Sequence, residues 1–521
     1  MTMALRLLAI CAAAVMLLGM DSNQLLRDWS TRPATHPHIP FVADAGSPAA
    51  RAVFVPDHTL SVSDFGAKGD GSTDDLPAFM ACLRRARSLD GKVLVTVPKG
   101  DFSLDGVLFV DRSNTVIRGM SPRESRLLFR RPLAAILNCG VDDPEPWGWR
   151  GGLLWIEEHP QSATSTASPV SFAIDGEHAQ GARRIRSATT AGLNALVGSW
   201  IHVRWEGGRD FAEAIYGDPV TAPALDISGW RTLDAYPKRR LRLEWAVKCI
   251  GIDGRDILLA SPLLAPIKSE WNVIAGIRTG TITNVGVERL GLVMPAHPMA
   301  VHLKEPGWNG IFARCAVDFW AKDLTLDHVD NAVILEKSSH GTIASFTASS
   351  AAMHHGISLR SMSSSNLIER FEIHGRCQHG ISVQDMASRN VFSKGVMSTG
   401  SFDAHRGMPF DTVRTEIVMT GNGLGGGAFG PLQGRRMVNW NVEQAELDRK
   451  KARYNAQIFD PLYFPSGALV GVRVPASASS SSSVKGPWAL PPGEKGCVVI
   501  DQGVVPHVGN LYESQRRLWN P

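Results

Sequence analysis

The segment FDAHRGMPFDT at 402–412 places Asp403, His405 and Arg406 within four positions of a stretch otherwise rich in Val, Ile and Ser. An imidazole can take or give a proton near neutral pH, a carboxylate can orient it, and a guanidinium can hold an anionic group. These three are the candidate catalytic residues. Whether they act together depends on which side chains share a face, and so on the elements around them.

Those elements repeat. NAVILEKS begins at 331, HGISLRSM at 355, HGISVQDM at 379 and DAHRGMPF at 403, a constant step of about 24 residues. Phe319, Ile343, Leu367 and Val391 form a second series with the same step. Short β-type runs at this period, without helical periodicity, predict an all-β solenoid, a parallel β-helix. Residues one period apart then stack at about 4.8 Å.

Alternation along each run decides what faces outward. Val333 and Leu335, Ile357 and Leu359, and Ile381 and Val383 point inward, so Glu336, Arg360 and Gln384 form an outward column. An unchanged register would bury His405 below Ile381. A slip of one residue buries Ala404 instead, turns Asp403 and His405 outward, and lets His405 continue the column. The cluster then lies about 5 Å from Gln384 and about 10 Å from Arg360. Arg360, Glu336, Gln384, Lys337 and Asp385 are candidate binding residues on this face, and Trp308, Trp147 and Trp149 are candidate aromatic platforms. Plainer roles exist for some of these: Asn331, His355 and His379, one period apart, also suit a polar ladder at a coil corner, and Glu336 with Arg360 a cross-strand charge pair.

Upstream, SVSDFGAKGDGSTDDLPAFMACL reads as a strand at Leu60–Val62, a glycine-rich turn, and a helix opened by Thr73, Asp74 and Asp75 with Phe79, Leu83 and Ala86 on one face. A strand follows at Val93–Val97. The GDGSTDD run lacks the ligand spacing of an EF-hand and reads as turn and cap. This motif resembles the opening of the pectate-lyase-superfamily, glycoside-hydrolase-28-related right-handed β-helix proteins. The resemblance implies a right-handed, single-stranded β-helix with an N-terminal helix cap, and a polysaccharide as partner. Calcium stays open as a cofactor on the same ground. The N-x-D, D-D, G-H-G and R-x-K set of the polygalacturonase branch is absent, so its mechanism does not transfer directly. β-Elimination on a uronic acid would use His405 as base, with Arg406 on the carboxylate and Arg360 or Lys337 serving the leaving oxygen. Hydrolysis would instead pair Asp403 with Glu336 or Asp385. A non-catalytic glycan-binding β-helix is the third reading.

The rest of the chain bounds these readings. With 521 residues, 44% hydrophobic and 20% charged, it can bury a large core, and its net charge of +4 carries no Lys/Arg run that would mark a nucleic-acid partner. Leu7–Met20 is an apolar run too short for a comfortable span. Residues 1–20 therefore read as a secretory signal or, if uncleaved, an N-terminal anchor, with the protein secreted or periplasmic and no other stable membrane partner. Residues 21–58 are an extension, 59–186 the cap and first coils, 187–270 a β-rich insertion, 271–440 the central coils with the groove, and 441–521 a C-terminal segment with a Ser-rich loop and helical character at 441–457. The cysteines show no metal-type spacing, so no metal site is expected, and disulfides stay undecided.

Overall fold

Two ladders of apolar side chains run up the inside of the solenoid: Ile311, Val333, Ile357, Ile381 and Phe402, and beside them Ala313, Leu335, Leu359, Val383 and Ala404. Each rung is fully or almost fully buried, and each belongs to one strand of a seven-stranded parallel sheet running from Leu108–Val110 to Phe402–Ala404. A computed structural model describes residues 20–137, 147–158, 170–217, 241–298, 300–405, 407–421, 433–446, 461, 464–475 and 496–519. Among them, fifteen strands form a second, larger parallel sheet along the other side of the stack. The architecture is a right-handed parallel β-helix, as the repeat and the N-terminal motif imply.

Coil length varies more than the sequence repeat suggests. Val333 pairs with Ile357 and Ile357 with Ile381, a full period each time, but Ile381 pairs with Phe402 rather than with His405, so the last of these coils is shorter. In the larger sheet Phe319 pairs with Gly341 rather than Ile343, and Ile343 with Ile368 rather than Leu367. The strands keep register while the turns absorb the differences. One turn is itself a ladder: Asn366 Nδ2 donates to Asn390 Oδ1 at 3.0 Å one coil on, and Ser338 and Ser363 hydroxyls donate to Ala313 and Leu335 carbonyls. Buried backbone groups at the corners are satisfied this way.

The N-terminal end is closed by the helix Leu76–Arg87, whose Ala78, Phe79, Cys82, Leu83 and Ala86 are buried, with Phe79 against Phe102. Val93–Val97 is a strand; the first strand is His58–Ser61, slightly earlier than read from the sequence, with Val62–Phe65 a short 3-10 turn. Where the sequence of GDGSTDD suggests turn and cap, Asp70–Asp74 is a short, irregular strand pairing with Gly100–Leu104, and within it Asp70 accepts backbone bonds from Ser72 and Thr73. An antiparallel six-stranded sheet takes its strands from Ser171 through Gly276, so it includes part of 171–186 as well as 187–270. It packs on the solenoid through Met386, Met408 and Phe410. The helical character expected at 441–457 is corrected at its start only: Val438–Gln444 is a strand continuing the large sheet, with Val438, Trp440 and Val442 buried, and 447–457 lie outside the described residues. Near the two ends of the described chain, Leu25, Trp29 and Phe41 meet Leu511 and Tyr512 on the outer face of that sheet. The five described cysteines, 82, 249, 315, 377 and 497, are free thiols. Among the described residues no helix is long and apolar enough to cross a membrane, and Met1–Gly19 lie outside them.

Candidate active site

The short coil before Phe402 sets the site. It puts Ala404 inside the stack and turns Asp403 and His405 to the outer face, out of phase with the repeat by an odd number of positions, which has the same effect on facing as a slip of one. The turn is tight because Gly380, at φ +55°, lies against the Ser401 backbone; a Cβ there would meet Ser401 O at 2.5 Å. The His-Gly pair spelled at 355–356 and 379–380 thus ends each corner with a histidine and lets the next coil close up.

Asp403 is fully buried, although it faces away from the solenoid interior, because two imidazoles cover it. Its Oδ2 lies 2.9 Å from His405 Nδ1 and 3.2 Å from His379 Nδ1. Burial alone would raise this carboxyl; the neighbouring His405 and His379 outweigh it and hold it below the usual range. A carboxylate only accepts, so His405 presents Nδ1–H to it and keeps Nε2 as a lone pair, whereas His379 Nδ1 stands beside it without hydrogen-bond geometry and His379 Nε2 meets Gln378 Nε2 at 3.4 Å. His405 is about a quarter exposed and His379 nearly buried, so His405 offers the more accessible Nε2. The two rings meet edge to face at 5.4 Å.

More histidines complete the cluster. His355 Nδ1 donates to Asn331 Oδ1 at 3.0 Å, and Asn331 donates to Asn309 Oδ1 at 2.7 Å, the polar corner ladder in register. His379 stacks on His355 at 4.9 Å. His354, buried beside it, faces Glu305 Oε1 at 3.3 Å, and the exposed His302 brings its Nε2 to 3.2 Å from His354 Nε2. Burial pushes the His354 and His355 rings down, and His302 is pushed down to about 4 by lost hydration and by its histidine neighbours. His302 and Glu305 belong to the segment 294–308, anchored by Asp330, whose Oδ2 accepts from the backbone of Gly307 and Trp308 and whose Oδ1 meets His297 at 3.0 Å.

The remaining candidates are placed differently. Arg406 lies outside the described residues. Arg360 is buried and donates to the Trp149 carbonyl, so it does not stand in a groove; Trp149 contributes that backbone oxygen and is partly buried. Trp147 and Trp308 are not platforms: both pack into the solenoid core, since an indole at a coil corner gains more from burial than from exposure. Glu336 pairs with Arg314 at 3.4 Å, while Gln384 is buried and Asp385 sits in a turn at φ 51° against Gly407. Lys337 lines a separate cleft between solenoid and antiparallel sheet, with Arg204, Arg242, Glu244 and Arg278. His302, His354 and Glu305 were not read from the sequence. The signals were the doubled histidine of MHHG at 353–356 and the histidine and glutamate that open and close the stretch HLKE at 302–305. Calcium does not fit here: among the described residues the two groupings of three potential ligands consist of imidazoles with at most one carboxylate, whereas calcium takes six to eight oxygens.

Fold and cluster together define a right-handed parallel β-helix with an imidazole–carboxylate site on its shorter sheet. Residues 59–131 match the family model described as Rhamnogalacturonase A/epimerase, pectate lyase-like, so the resemblance of the N-terminal motif holds in the coils that carry it. The chain is similar to the polygalacturonase ADPG1 of Arabidopsis thaliana, 55% identical over 42 residues, or 8% of this chain and 10% of the relative. It is similar to the alpha-1,3-galactosidase A of Streptomyces avermitilis, 39% identical over 66 residues, 13% of this chain and 11% of the relative. The matches thus span about a tenth of each curated relative. Among solved structures, the tailspike protein gp49 of Pseudomonas phage LKA1 aligns with a TM-score of 0.48 and 14% identity, covering 80% of this chain and 64% of that one. The family described by that model and both curated relatives are named for action on carbohydrates.

Proposed function

We propose that the protein is an exported enzyme acting on an acidic polysaccharide by abstracting the proton at C5 of a uronic acid, with His405 as base. The observation that carries this is the buried carboxylate: Asp403 Oδ2 accepts from His405 Nδ1 at 2.9 Å, lies 3.2 Å from His379 Nδ1, and leaves the accessible Nε2 of His405 as a lone pair. His405 Nε2 takes the C5 proton, the C4–O bond breaks as a C4=C5 double bond forms, and the departing oxygen is protonated from solvent. Asp403 stabilises the imidazolium that results.

Hydrolysis by Asp403 and Glu336 is disfavoured by the register. The Asp403 row passes through Ser382 and Ser358 to Ile334, three strand spacings away, so the backbones of Glu336 and Asp403 are at least about 14 Å apart, against the roughly 5–9.5 Å between the paired carboxyls of glycosidases. Asp403 is moreover enclosed by two imidazoles and closed to a sugar. The test is incubation with a panel of acidic and neutral polysaccharides, reading the ultraviolet absorbance of the new double bond and the release of reducing ends, with His405→Ala as control. Both signals, lost in the variant, support elimination. Reducing ends without absorbance refute it in favour of hydrolysis. A changed uronate stereochemistry with neither signal points to the epimerase half of the family description, and binding with no chemistry refutes the enzyme.

A further inference from the structure

The geometry points to a binding site for one divalent transition-metal ion of the zinc class, formed by His302, His354 and His379. A ligand nitrogen of each lies within 4.8 Å of the other two. The His302 and His354 Nε2 atoms are 3.2 Å apart, and two nitrogens bound at about 2.0–2.1 Å to a tetrahedral ion are separated by about 3.3 Å. The ring centroids close a triangle of 4.8, 5.1 and 5.6 Å.

Behind two of these ligands stands a carboxylate. Glu305 Oε1 lies 3.3 Å from His354 Nδ1, and Asp403 Oδ2 lies 3.2 Å from His379 Nδ1. Both Nδ1 atoms are buried beside their carboxylate with no other hydrogen-bond partner, the position from which an outer-shell carboxylate supports a metal-bound histidine. Glu305 Oε2 is buried without a hydrogen-bond partner, so this carboxylate carries negative charge that the surrounding protein does not fully satisfy. In the ion's absence one Nε2–H donates to the other Nε2, a hydrogen bond that a cation held by both lone pairs would replace. Three neutral imidazoles select zinc, cobalt, nickel or copper over calcium or magnesium. The third ligand, the exposed His302, comes from the segment 294–308 fixed by Asp330, and the His405 ring lies 5.4 Å from that of His379.

An ion there would also supply the charge that neutralises a uronate carboxylate during elimination; that role rests on the proposed function, whereas metal binding does not. The local spacing of cysteines and histidines gives no hint of the site, because His302, His354 and His379 are far apart in the chain and meet only when a loop folds over two coils.

The test is titration of chelator-treated protein with Co²⁺, followed by its visible absorption, together with calorimetric titration of Zn²⁺. One equivalent is expected to bind and to give the intense bands of a four- or five-coordinate ion. His302→Ala, at an exposed position where folding is retained, should abolish the bands; Glu305→Gln should weaken affinity by about 10–100-fold; His374→Ala, on the exposed side of the large sheet, should leave binding unchanged. Absence of stoichiometric binding to the wild type, or unchanged binding by His302→Ala, overturns the site. Metal binding without chemistry on any glycan leaves the site standing and removes the proposed reaction. Elimination at full rate in chelator, with no Co²⁺ bands, removes the site and leaves the reaction.

Discussion

Replacing Asp403 by Asn tests the shared carboxylate directly. The amide oxygen can occupy the place of Oδ2 and still accept from His405 Nδ1–H, so the change removes charge with little change of shape. His405 Nδ1 lies 2.9 Å from Oδ2, and the centres of an imidazolium and the carboxylate are then about 4 Å apart. At an effective dielectric constant of about 20 their attraction is about 4 kcal/mol, which corresponds to roughly three decades in rate. Asp403→Asn is therefore expected to lower kcat by about 10³-fold with KM little changed, and His405→Ala by about 10²–10⁴-fold. Initial rates of double-bond formation on the responsive polysaccharide give both parameters, and the bound metal is quantified in the same samples, because His379 also leans on Asp403. Burial pushes the Arg414 guanidinium down to about 9 and Asp403 is the charge that opposes this, so Asp403→Asn should also melt earlier. His405→Ala, at a partly exposed position, should not. An Asp403→Asn enzyme that keeps kcat within tenfold at unchanged KM refutes the role of the carboxylate.

Further outcomes follow from the packing. His202 is buried and its ring is pushed down to about 4 by lost hydration, with Glu244 pulling the other way, so the unfolded chain takes up a proton near pH 6.5 that the folded chain refuses until about pH 4. Stability is full above that window and falls by up to about 3 kcal/mol as pH drops through it; melting temperatures between pH 7 and 4 should show the slope, and His202→Gln should flatten it. Asp411, fully buried, accepts from Arg436 Nε and Nη2 at 2.7 and 2.6 Å, so Asp411→Asn should cost about 3–5 kcal/mol in urea unfolding, and an unchanged midpoint would contradict the pair. Ile381→Ala removes a rung of the interior ladder and should cost about 2–5 kcal/mol by the same assay. Asp330→Ala frees the anchor of the 294–308 segment, and should weaken Co²⁺ binding through His302 while leaving unfolding of the solenoid little changed.

What could be read in the sequence was what a strand enforces locally. Val333, Leu335, Ile357, Leu359, Ile381 and Val383 must be apolar because they point into a closed stack, so their period shows, and with it the facing of Asp403 and His405, though not that Arg360 and Gln384 would be buried on that face. Turns carry no such constraint. Some are shorter than the repeat, which is why Phe319 lies beside Gly341 and not Ile343, and Ile381 beside Phe402 and not His405. At 441–444 alternation outweighs the charged stretch that follows: Val438, Trp440 and Val442 point inward as a strand should. Trp147 and Trp308 read as surface platforms because residue type alone does not tell a sugar-stacking indole from a core one. The histidine cluster shows the same division. His355 and His379 stand out because a ladder repeats them, whereas His302 and Glu305 follow no period and meet His354 only when Asp330 ties their loop to the coil. A β-helix thus fixes the spacing of side chains along its sheets by register, and leaves the loops to bring a reacting group across the corner. The same separation predicts that replacing the 294–308 segment by a short flexible linker should remove metal and turnover together, yet leave the stack from Asn309 to Ala404 folded, because none of its ladder rungs comes from that segment.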